Sequence, residues 1–327
     1  MKKVIFVLLP LLLVTACEEN NPSISQDNTS WVFVANEGNF GASNGSISMI
    51  DDFGDVYEIE NIGDVVQSLQ VYEDKLIVLI NNSHKIRIYD ITENGLRLPG
   101  IEVDTDNSSP REMVVVDDKL YFTNWSSQDV KVFNLFNYTI ESSIPVGMMP
   151  EGIITDGTSL WVANSGESTV SEIDIASLSV TTHEVGDGPQ NLVLHNGEIY
   201  ISRTFYDDAW NAFYGSSKIG QNVIINNYGA GAVCGGSVVK YNDSVYRSFE
   251  GGIAPLNENL DIDESARIGM YDQSQVYHVE IIENNIWFAI TDYESLNEIK
   301  IIDSNGDERF SYSVGITPGD FAIWKAE

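Results

Sequence analysis

Short segments of apolar or alternating residues recur along most of the chain after residue 30. Each segment spans four to seven residues, and polar or glycine-containing pairs such as Asp156–Gly157 and Asn196–Gly197 separate one segment from the next. Alternation with a period of two, bounded by such pairs, is typical of β-strands joined by tight turns. No amphipathic helix of useful length follows residue 17. The pattern therefore predicts an all-β chain.

A weak internal repeat organises these segments. In each copy the first strand begins with Pro and the second strand begins ten positions later, and the clear copies start at Pro110, Pro150 and Pro189. Weaker copies place the second strand at Leu76, Val245 and Ile286. From Leu76 onward the second strands are spaced by 44, 40, 39, 46 and 41 residues. A period of about 40–45 residues with four short strands per unit is typical of β-propeller blades.

The two ends of the chain predict how the ring closes. The last copy begins at Pro318 and the sequence stops at Glu327, one position before its second strand would start. Near the N-terminus, Val32–Asn36 matches the second strand Leu160–Asn164 position by position. We therefore expect a seven-bladed β-propeller over residues 30–327, in which the C-terminal strand is the innermost strand of the first blade. Seven units of about 43 residues fit the repeat better than six of about 50 or eight of about 37.

The N-terminus reads as a secretion signal followed by a tether. A basic start, an apolar run from Val4 to Val14 and small residues before Cys17 predict a lipoprotein signal peptide over residues 1–16. The run is too short for a membrane span, which needs about 20 apolar residues. The segment before the cysteine resembles the bacterial lipobox, so we expect lipid on Cys17 and a flexible tether over residues 17–29; ordinary cleavage is the alternative. The acidic residues after Cys17 resemble a surface-export signal, which implies an outer-membrane lipoprotein facing the cell exterior.

The charge of the chain excludes some classes of partner. Removal of residues 1–16 takes two lysines away and changes the net charge from −32 to −34. Nucleic acids and anionic membrane surfaces require basic patches, so we expect neither partner and membrane attachment through the lipid anchor only. Cys234 then has no partner for a disulfide bond, and we expect it to be a small buried side chain.

Two sets of repeat positions are expected to meet on one face of the ring, around the central channel, where loops converge. One set follows the Pro position of each copy and comprises Gln67, Arg111, Glu151, Gln190, Gly236, Tyr277 and Gly319. The other set ends the second strand and comprises Asn36, Asn81, Asn124, Asn164, Arg203, Phe249 and Thr291. Most members are polar and few are charged, so we expect a ring of hydrogen-bond donors and acceptors. For each Asn, capping of the strand-end turn is the alternative.

Aromatic residues are concentrated in the loops beyond the second strands. They are Phe40, Trp125, Phe205, Tyr206, Trp210, Phe213, Tyr214 and Tyr293. Five of them lie in residues 205–214, which interrupt the repeat where other copies have a short turn. Exposed aromatic rings with polar neighbours are typical of binding surfaces, and this set suits a large, planar, amide-bearing ligand or a glycan. A self-packed loop that covers the end of a blade is the alternative.

The sequence offers little for catalysis. His84, His183, His195 and His278 are scattered without the spacing of metal ligands, and neither a nucleophile elbow nor a phosphate-binding glycine loop is present. The best acidic cluster, at 104–107, lacks the Gly and the final Glu of a calcium loop and reads as a solvated turn. We therefore expect no enzyme, no cofactor and no metal site. His278 alone is expected near the channel, which is weak support for acid–base chemistry.

The motif Asn-Glu-Gly-Asn-Phe-Gly at 36–41, with the strands of the Leu160–Asn164 type and the closing segment Val314–Gly319, resembles the YncE-like surface lipoprotein propellers. That group includes the surface-exposed cobalamin-binding lipoproteins of gut Gram-negative bacteria. The resemblance covers residues 31–327 and the lipobox. It implies a propeller that captures cobalamin outside the cell and passes it to a TonB-dependent outer-membrane transporter.

The leading hypothesis is therefore a surface lipoprotein that binds cobalamin or a related corrinoid. Its expected ligand contacts are Asn36, Phe40, Gln67, Asn81, Arg111, Asn124, Trp125, Glu151, Asn164, Gln190, Arg203, Tyr206, Trp210, Phe249, Tyr277 and Tyr293. The alternatives are a propeller that binds a glycan or a peptide, a structural or adhesive protein, and a lyase that resembles the streptogramin-inactivating type. The lyase alternative predicts a channel-facing histidine with a carboxylate nearby and a dependence on metal.

Overall fold

The computed structural model describes residues 29–231 and 237–326. Within these ranges the chain forms 27 β-strands and one 3-10 turn, Glu264–Ala266. The predicted signal peptide (1–16), the lipidated Cys17, all but the last residue of the predicted tether (17–29) and Cys234 lie outside the described ranges. In the described part of the chain no helical segment is able to cross a membrane.

The strands form seven antiparallel sheets in a ring, so the predicted seven-bladed β-propeller is confirmed. From the channel outward, the first three blades contain β27 (Pro318–Lys325), β1 (Ser30–Asn36), β2 (Gly45–Asp51) and β3 (Val56–Gly63); β4 (Val66–Tyr72), β5 (Lys75–Ile80), β6 (Lys85–Thr92) and β7 (Gly95–Asp104); and β8 (Pro110–Val116), β9 (Lys119–Asn124), β10 (Asp129–Asn134) and β11 (Thr139–Pro145). The last four contain β12 (Pro150–Thr155), β13 (Ser159–Asn164), β14 (Thr169–Asp174) and β15 (Val180–Glu184); β16 (Pro189–His195), β17 (Glu198–Tyr206), β18 (Ala212–Ile219) and β19 (Val223–Ala230); β20 (Val238–Tyr241), β21 (Ser244–Phe249) and β22 (Gly252–Pro255); and β23 (Val276–Ile282), β24 (Asn285–Thr291), β25 (Asn297–Ile302) and β26 (Glu308–Ser313).

The sixth blade differs from the others because its sheet has three strands. The chain after β22 returns along the outer edge of this sheet, where Ile268 forms an antiparallel bridge with Ile253. A second bridge joins Leu256 to Ile262 within the returning segment. The segment therefore covers the edge that a fourth strand covers elsewhere, and an uncovered edge would be open to aggregation.

The first blade joins the two ends of the chain. β27 pairs antiparallel with β1 along its whole length, from Ser30 opposite Lys325 to Asn36 opposite Pro318. This is the predicted closure, with the C-terminal strand innermost. Beyond the sheet, the backbone N–H of Leu69 in the second blade donates a hydrogen bond of 2.6 Å to Oδ2 of Asp320. The closing strand is thus bonded to blade one and fastened to blade two.

The hydrophobic core lies between neighbouring blades. Between the first and second blades, Trp31 and Trp324 pack with aliphatic residues of both blades and are almost fully buried. Each indole N–H has a partner in the second blade: Trp31 donates to the carbonyl oxygen of Thr92 at 3.1 Å, and Trp324 donates to Oδ1 of Asp74 at 2.8 Å. The two tryptophans therefore hold the closing blade against its neighbour by packing and by directed hydrogen bonds.

We predict that Trp324→Ala destabilises the propeller strongly. Loss of a buried Trp costs about 3–5 kcal/mol through the cavity it leaves, and here it also leaves Asp74 without its donor. Lys325→Ala is the matched control, because its ion pair with Glu283 is exposed and such pairs contribute less than about 1 kcal/mol. Urea unfolding measures both changes, and equal stability of the two variants would contradict the proposed role of the closing strand.

Candidate functional site

A cavity of about 400 Å³ opens at the mouth of the central channel and is lined by residues from all seven blades. It contains the described members of the predicted set that follows the Pro position, namely Gln67, Arg111, Glu151, Gln190, Tyr277 and Gly319. Tyr206, predicted from the loop aromatics, also lines it. Gly236 lies outside the described residues. The face on which this cavity opens is called the mouth face below.

A β-bulge at the start of the innermost strand turns these residues toward the channel. In the second blade Val66 pairs with Ile80 and Ser68 pairs with Leu79, so Gln67 is an extra residue without a partner position. The same shift occurs at the start of β8, β12, β16, β23 and β27. A bulge re-aims the side chain it carries and bends the strand. The repeat position after Pro therefore points into the channel in six blades.

Arg111 organises one side of the mouth. Its guanidinium forms an ion pair with Glu151 at 2.6 Å and donates a further hydrogen bond to Oε1 of Gln67. The guanidinium also lies over the ring of Trp125 at 4.1 Å, and the indole N–H of Trp125 donates to Oε2 of Glu151 at 2.7 Å. Planar stacking and charge-assisted hydrogen bonds hold these four side chains in one arrangement. They form a rigid polar wall that carries one aromatic ring.

Glu37 and Tyr277 form the opposite side of the mouth. The Tyr277 hydroxyl donates a hydrogen bond of 2.8 Å to Oε1 of Glu37, and the ring of Tyr293 packs edge-on against Tyr277 with 6.0 Å between centroids. Burial raises the pKa of the Glu37 carboxyl, which the hydrogen bond from Tyr277 and the charge of Arg111 partly oppose. The pair lies over Gly319, where a Cβ atom would come within 2.9 Å of Oε1 of Glu37. A glycine is needed there because the carboxylate occupies the space of a side chain.

Exposed apolar side chains surround the cavity on the mouth face. In the predicted loops, Phe40 is 79% exposed, Trp210 83%, Tyr206 56% and Tyr293 44%. Met148 and Met149, immediately before β12, are also exposed, and no sequence pattern marked them as candidates. Single exposed apolar residues are ordinary, but this group stands around one polar cavity. The mouth face can therefore contact both apolar and hydrogen-bonding parts of one ligand.

The predicted interruption in the fifth blade is a long hairpin formed by β17 and β18. Inside it, the rings of Phe205 and Phe213 stack at 5.8 Å, and Arg203 lies over the Phe205 ring. At its tip, Tyr206 and Trp210 contact each other at 6.2 Å and remain exposed. Both predicted alternatives therefore occur: the base of the hairpin packs on itself, and its tip presents two rings to solvent.

The residues that end the second strands do not reach the channel, which corrects the expectation of one continuous polar ring. Asn36, Asn81, Asn124 and Asn164 are buried within or between blades. Asn36 donates to the hydroxyls of Ser46 and Ser48, and Asn164 donates in the same way to Thr169 and Ser171. The amide of Asn81 donates to the carbonyl of Pro110, and that of Asn124 to the carbonyl of Phe122. These side chains fasten strand ends to neighbouring strands and blades. Of the four, Asn124 alone bonds to nearby backbone as the capping alternative expects.

Arg203, Phe249 and Thr291 are buried for related reasons. Arg203 is 1% exposed and donates to the backbone carbonyls of Asp187 and Asn226, so its guanidinium holds two loops instead of facing a ligand. Phe249 ends β21 and is buried within the sixth blade. The hydroxyl of Thr291 donates to Asn297. The predicted ligand contacts Arg203 and Phe249 are therefore parts of the framework.

Below the mouth the channel is acidic. Glu112, Glu280 and Asp320 line both the mouth cavity and a second cavity of about 390 Å³ deeper in the channel, so these carboxyl groups mark the level where the two meet. Burial raises the pKa of Glu112 and Glu280 well above the ordinary value and that of Asp320 to about 7. Burial lowers the pKa of the neighbouring His278 to about 4, which keeps its imidazole neutral near pH 7.

This lower level and Glu37 were not among the residues selected from the sequence. Glu112 and Asp320 directly follow the bulge residues Arg111 and Gly319, and both line the cavity, so the next repeat position also reaches the channel in these two blades. Glu280 is two residues from His278, and period-two alternation places both on one face of β23. The expectation of no metal site rested on the spacing of residues along the chain. Spacing along the chain does not reveal side chains that separate blades bring together.

The remaining predicted elements lie away from the channel. His84 accepts a hydrogen bond from the backbone of Ser109, and His183 pairs with Glu172 at 2.8 Å. The turn at 104–107 is exposed at Asp104, which lies 3.2 Å from Lys85, as expected for a solvated turn. A larger cavity of about 560 Å³ lies between the fifth and sixth blades and is lined by Tyr200 and Lys218. It draws on two blades, and none of the predicted binding residues contributes to it.

Comparisons with known proteins identify the fold. No family model matches the chain, and no curated protein matches it. A Desulfotomaculum acetoxidans protein of unknown function is 16% identical, with a TM-score of 0.65 over 91% of this chain and 99% of that one. A Bacteroides fragilis protein described as a candidate 6-phosphogluconolactonase is 12% identical, with a TM-score of 0.61 over 93% and 100%. Apo AztD from Citrobacter koseri is 11% identical, with a TM-score of 0.60 over 91% and 98%. At these identities the likeness concerns the propeller fold.

We predict that Asn164→Ala destabilises the protein by about 1–3 kcal/mol, because two buried hydroxyl groups lose their donor. Asn305→Ala, at an exposed position in the turn between β25 and β26, is the control and is expected to change stability by less than about 0.5 kcal/mol. Thermal and urea unfolding compare the two variants. A stable Asn164→Ala protein would show that the buried amide is not part of the framework.

Proposed function

We propose that this chain is a binding protein without catalytic activity, and that its ligand is cobalamin or a related corrinoid held on the mouth face. The observation that carries the proposal is the group of exposed rings, Phe40, Tyr206, Trp210 and Tyr293, in loops on the face where a polar cavity opens, with Tyr206 lining the cavity itself. A corrinoid is broad and flat, and its edge carries many amide groups. Aromatic rings provide apolar contact area for the flat part of such a ligand, and polar groups at the mouth pair with its amides.

The size of the cavity supports binding across the mouth instead of deep insertion. A volume of about 400 Å³ admits a side group but not a whole corrinoid. Amide N–H groups of the ligand can donate to Gln67, Gln190 and Glu37, and also to the Tyr277 oxygen, whose own hydrogen goes to Glu37. Amide carbonyls of the ligand can accept from Arg111. Because Arg111 is already held by Glu151 and Trp125, it loses little side-chain freedom on binding.

The location and the partner are further parts of the proposal. The lipobox-like segment before Cys17 supports a lipid anchor, and the acidic residues after it support export to the cell surface. The motif at 36–41 supports delivery of the ligand to a TonB-dependent outer-membrane transporter. Protease treatment of intact cells tests the location: degradation of the chain is expected, and complete protection would contradict surface exposure.

We predict that cyanocobalamin binds to a soluble form of the mature chain without the lipidated Cys17, residues 18–327, with one ligand per chain in isothermal titration calorimetry. Trp210→Ala is expected to weaken binding at least about tenfold, because loss of an aromatic anchor of an interface costs more than about 1.4 kcal/mol. Phe136→Ala is the matched control, since Phe136 is 90% exposed in the turn between β10 and β11 on the opposite face. No heat and no competition by any corrinoid would exclude this ligand.

A glycan or a peptide is the outcome to examine if corrinoids do not bind. A glycan array probed with the native chain and with Trp210→Ala distinguishes two possibilities. Either the mouth face binds a glycan, or it binds no ligand. Signal that Trp210→Ala removes and Phe136→Ala retains would assign the mouth face to a glycan. Equal signal from all three proteins would contradict a role for the exposed rings.

A lyase is the second candidate function, and one observation favours it. His278 faces the channel and has Glu280 and Asp320 beside it, which is the arrangement that this alternative predicts. A binding protein returns its ligand unchanged, whereas a lyase returns a product. Chromatography and mass spectrometry of the ligand after incubation therefore distinguish the two. Unchanged ligand supports binding, and a product that disappears with His278→Ala would establish the enzyme.

A further inference from the structure

Three side chains lie close together below the mouth, beside the closing strand β27. His278 and Glu280 lie on β23, and Asp320 lies on β27, the innermost strand of the adjacent blade. One ring nitrogen of His278 and one carboxylate oxygen from each acid all lie within 4.8 Å of one another. These residues take no part in the Arg111 and Glu37 contacts of the mouth.

The spacing is that of ligands around a single ion. Two ligand atoms bound to one ion are separated by at most twice the metal–ligand distance, which is about 4.2–4.8 Å for bonds of about 2.1–2.4 Å. All three atoms lie within the upper value of this limit. They are therefore close enough for one ion to lie among them.

Among the described residues, no positively charged side chain pairs with the cluster. Glu280 has no hydrogen-bond or ion-pair partner there, and Asp320 accepts hydrogen bonds from backbone N–H groups, including that of Leu69. The Nε2 atom of His278 is buried and has no hydrogen-bond partner in the described chain. Arg111, the positively charged side chain of the mouth, is already bonded to Glu151 and Gln67. These partly buried carboxyl and imidazole groups keep lone pairs that no neighbouring side chain of the described residues uses, and a bound cation would accept them.

We propose that His278, Glu280 and Asp320 bind one divalent transition-metal ion in the channel. Calcium and magnesium prefer ligand sets made of oxygen alone, whereas a set that includes an imidazole suits Zn²⁺ or Mn²⁺. Glu112 lies at the same level of the channel and places a third carboxyl group beside the cluster. The open cavities above and below leave room for water to complete the coordination.

The position of the site gives the ion a structural consequence. Its ligands come from β23 in the last blade and from β27, the closing strand of the first blade, so a bound ion links the closing strand to the last blade. A ligand that binds only the folded state raises stability by mass action. We therefore expect the ion to strengthen the ring, and this expectation is independent of which molecule binds at the mouth.

The test uses the soluble form without the lipidated Cys17, residues 18–327, after treatment with a chelator. Calorimetry with ZnCl₂ and with MnCl₂ is expected to give one ion per chain, and Zn²⁺ is expected to raise the thermal midpoint. Asp320→Asn and Glu280→Gln keep the size of the side chain but remove a charged ligand, and each is expected to weaken Zn²⁺ binding at least about tenfold. CaCl₂ is expected to bind at least about tenfold more weakly than ZnCl₂.

Two controls make the outcome decisive. Asp104→Asn removes an exposed carboxylate from the acidic turn at 104–107 and is expected to leave Zn²⁺ affinity unchanged. The visible spectrum of bound Co²⁺ reports directly on the ligand set, and His278→Gln is expected to alter it. Circular dichroism of the metal-free variants verifies that they are folded. The absence of Zn²⁺ and Mn²⁺ binding, or equal affinity in the native chain, Asp320→Asn and Glu280→Gln, would overturn the proposal.

Discussion

The pairing of β27 with β1 is the interaction on which the rest of the structure depends. A propeller blade buries its apolar faces against its neighbours, so an open ring would leave one face of the first blade and one of the last exposed. Here seven register pairs join the last strand to the first, and Trp31 and Trp324 bond this blade to the second. Closure brings Glu37, near the start of the chain, to Tyr277, near its end. Neither the mouth nor the acidic level below it exists until the ring is closed.

A repeated β-bulge converts the blade repeat into a surface. Because the bulge comes at the same place in six innermost strands, it presents six different side chains to one cavity while the strands around it stay regular. Residues that hold the blade together and residues that face the cavity therefore lie only a few positions apart in the sequence. Pro110 and Asn124 belong to the blade, whereas Arg111 faces the channel. Changes at the bulge position can alter ligand preference without disturbing the sheet.

Most of the fold and part of the site could be predicted from the sequence. The fold follows from chain connectivity, whereas the site depends on the direction in which each side chain points. Repeat length and the offset between the two ends fix the number of blades and the closure, since both follow from chain connectivity. Membership of Gln67 and Tyr277 in the cavity follows from their place in the repeat. The strand-end residues were assigned wrongly because period-two alternation does not show whether the last side chain of a strand points to the channel or into the blade. Hydroxyl partners such as Ser46 and Ser171 bind the Asn side chains inside the blade. The cluster of His278 and Asp320 was missed because nothing local connects residues 42 positions apart.

The central claim is that one face of the ring, the mouth face, is the ligand-binding surface. Hydrogen–deuterium exchange of the chain with and without cyanocobalamin tests it most directly, because slowed exchange maps where a ligand covers or rigidifies the backbone. The account predicts slower exchange in the loops at 37–44, 206–214 and 291–296, with no change in the turn around Phe136 on the opposite face. Slower exchange confined to that opposite face would contradict it.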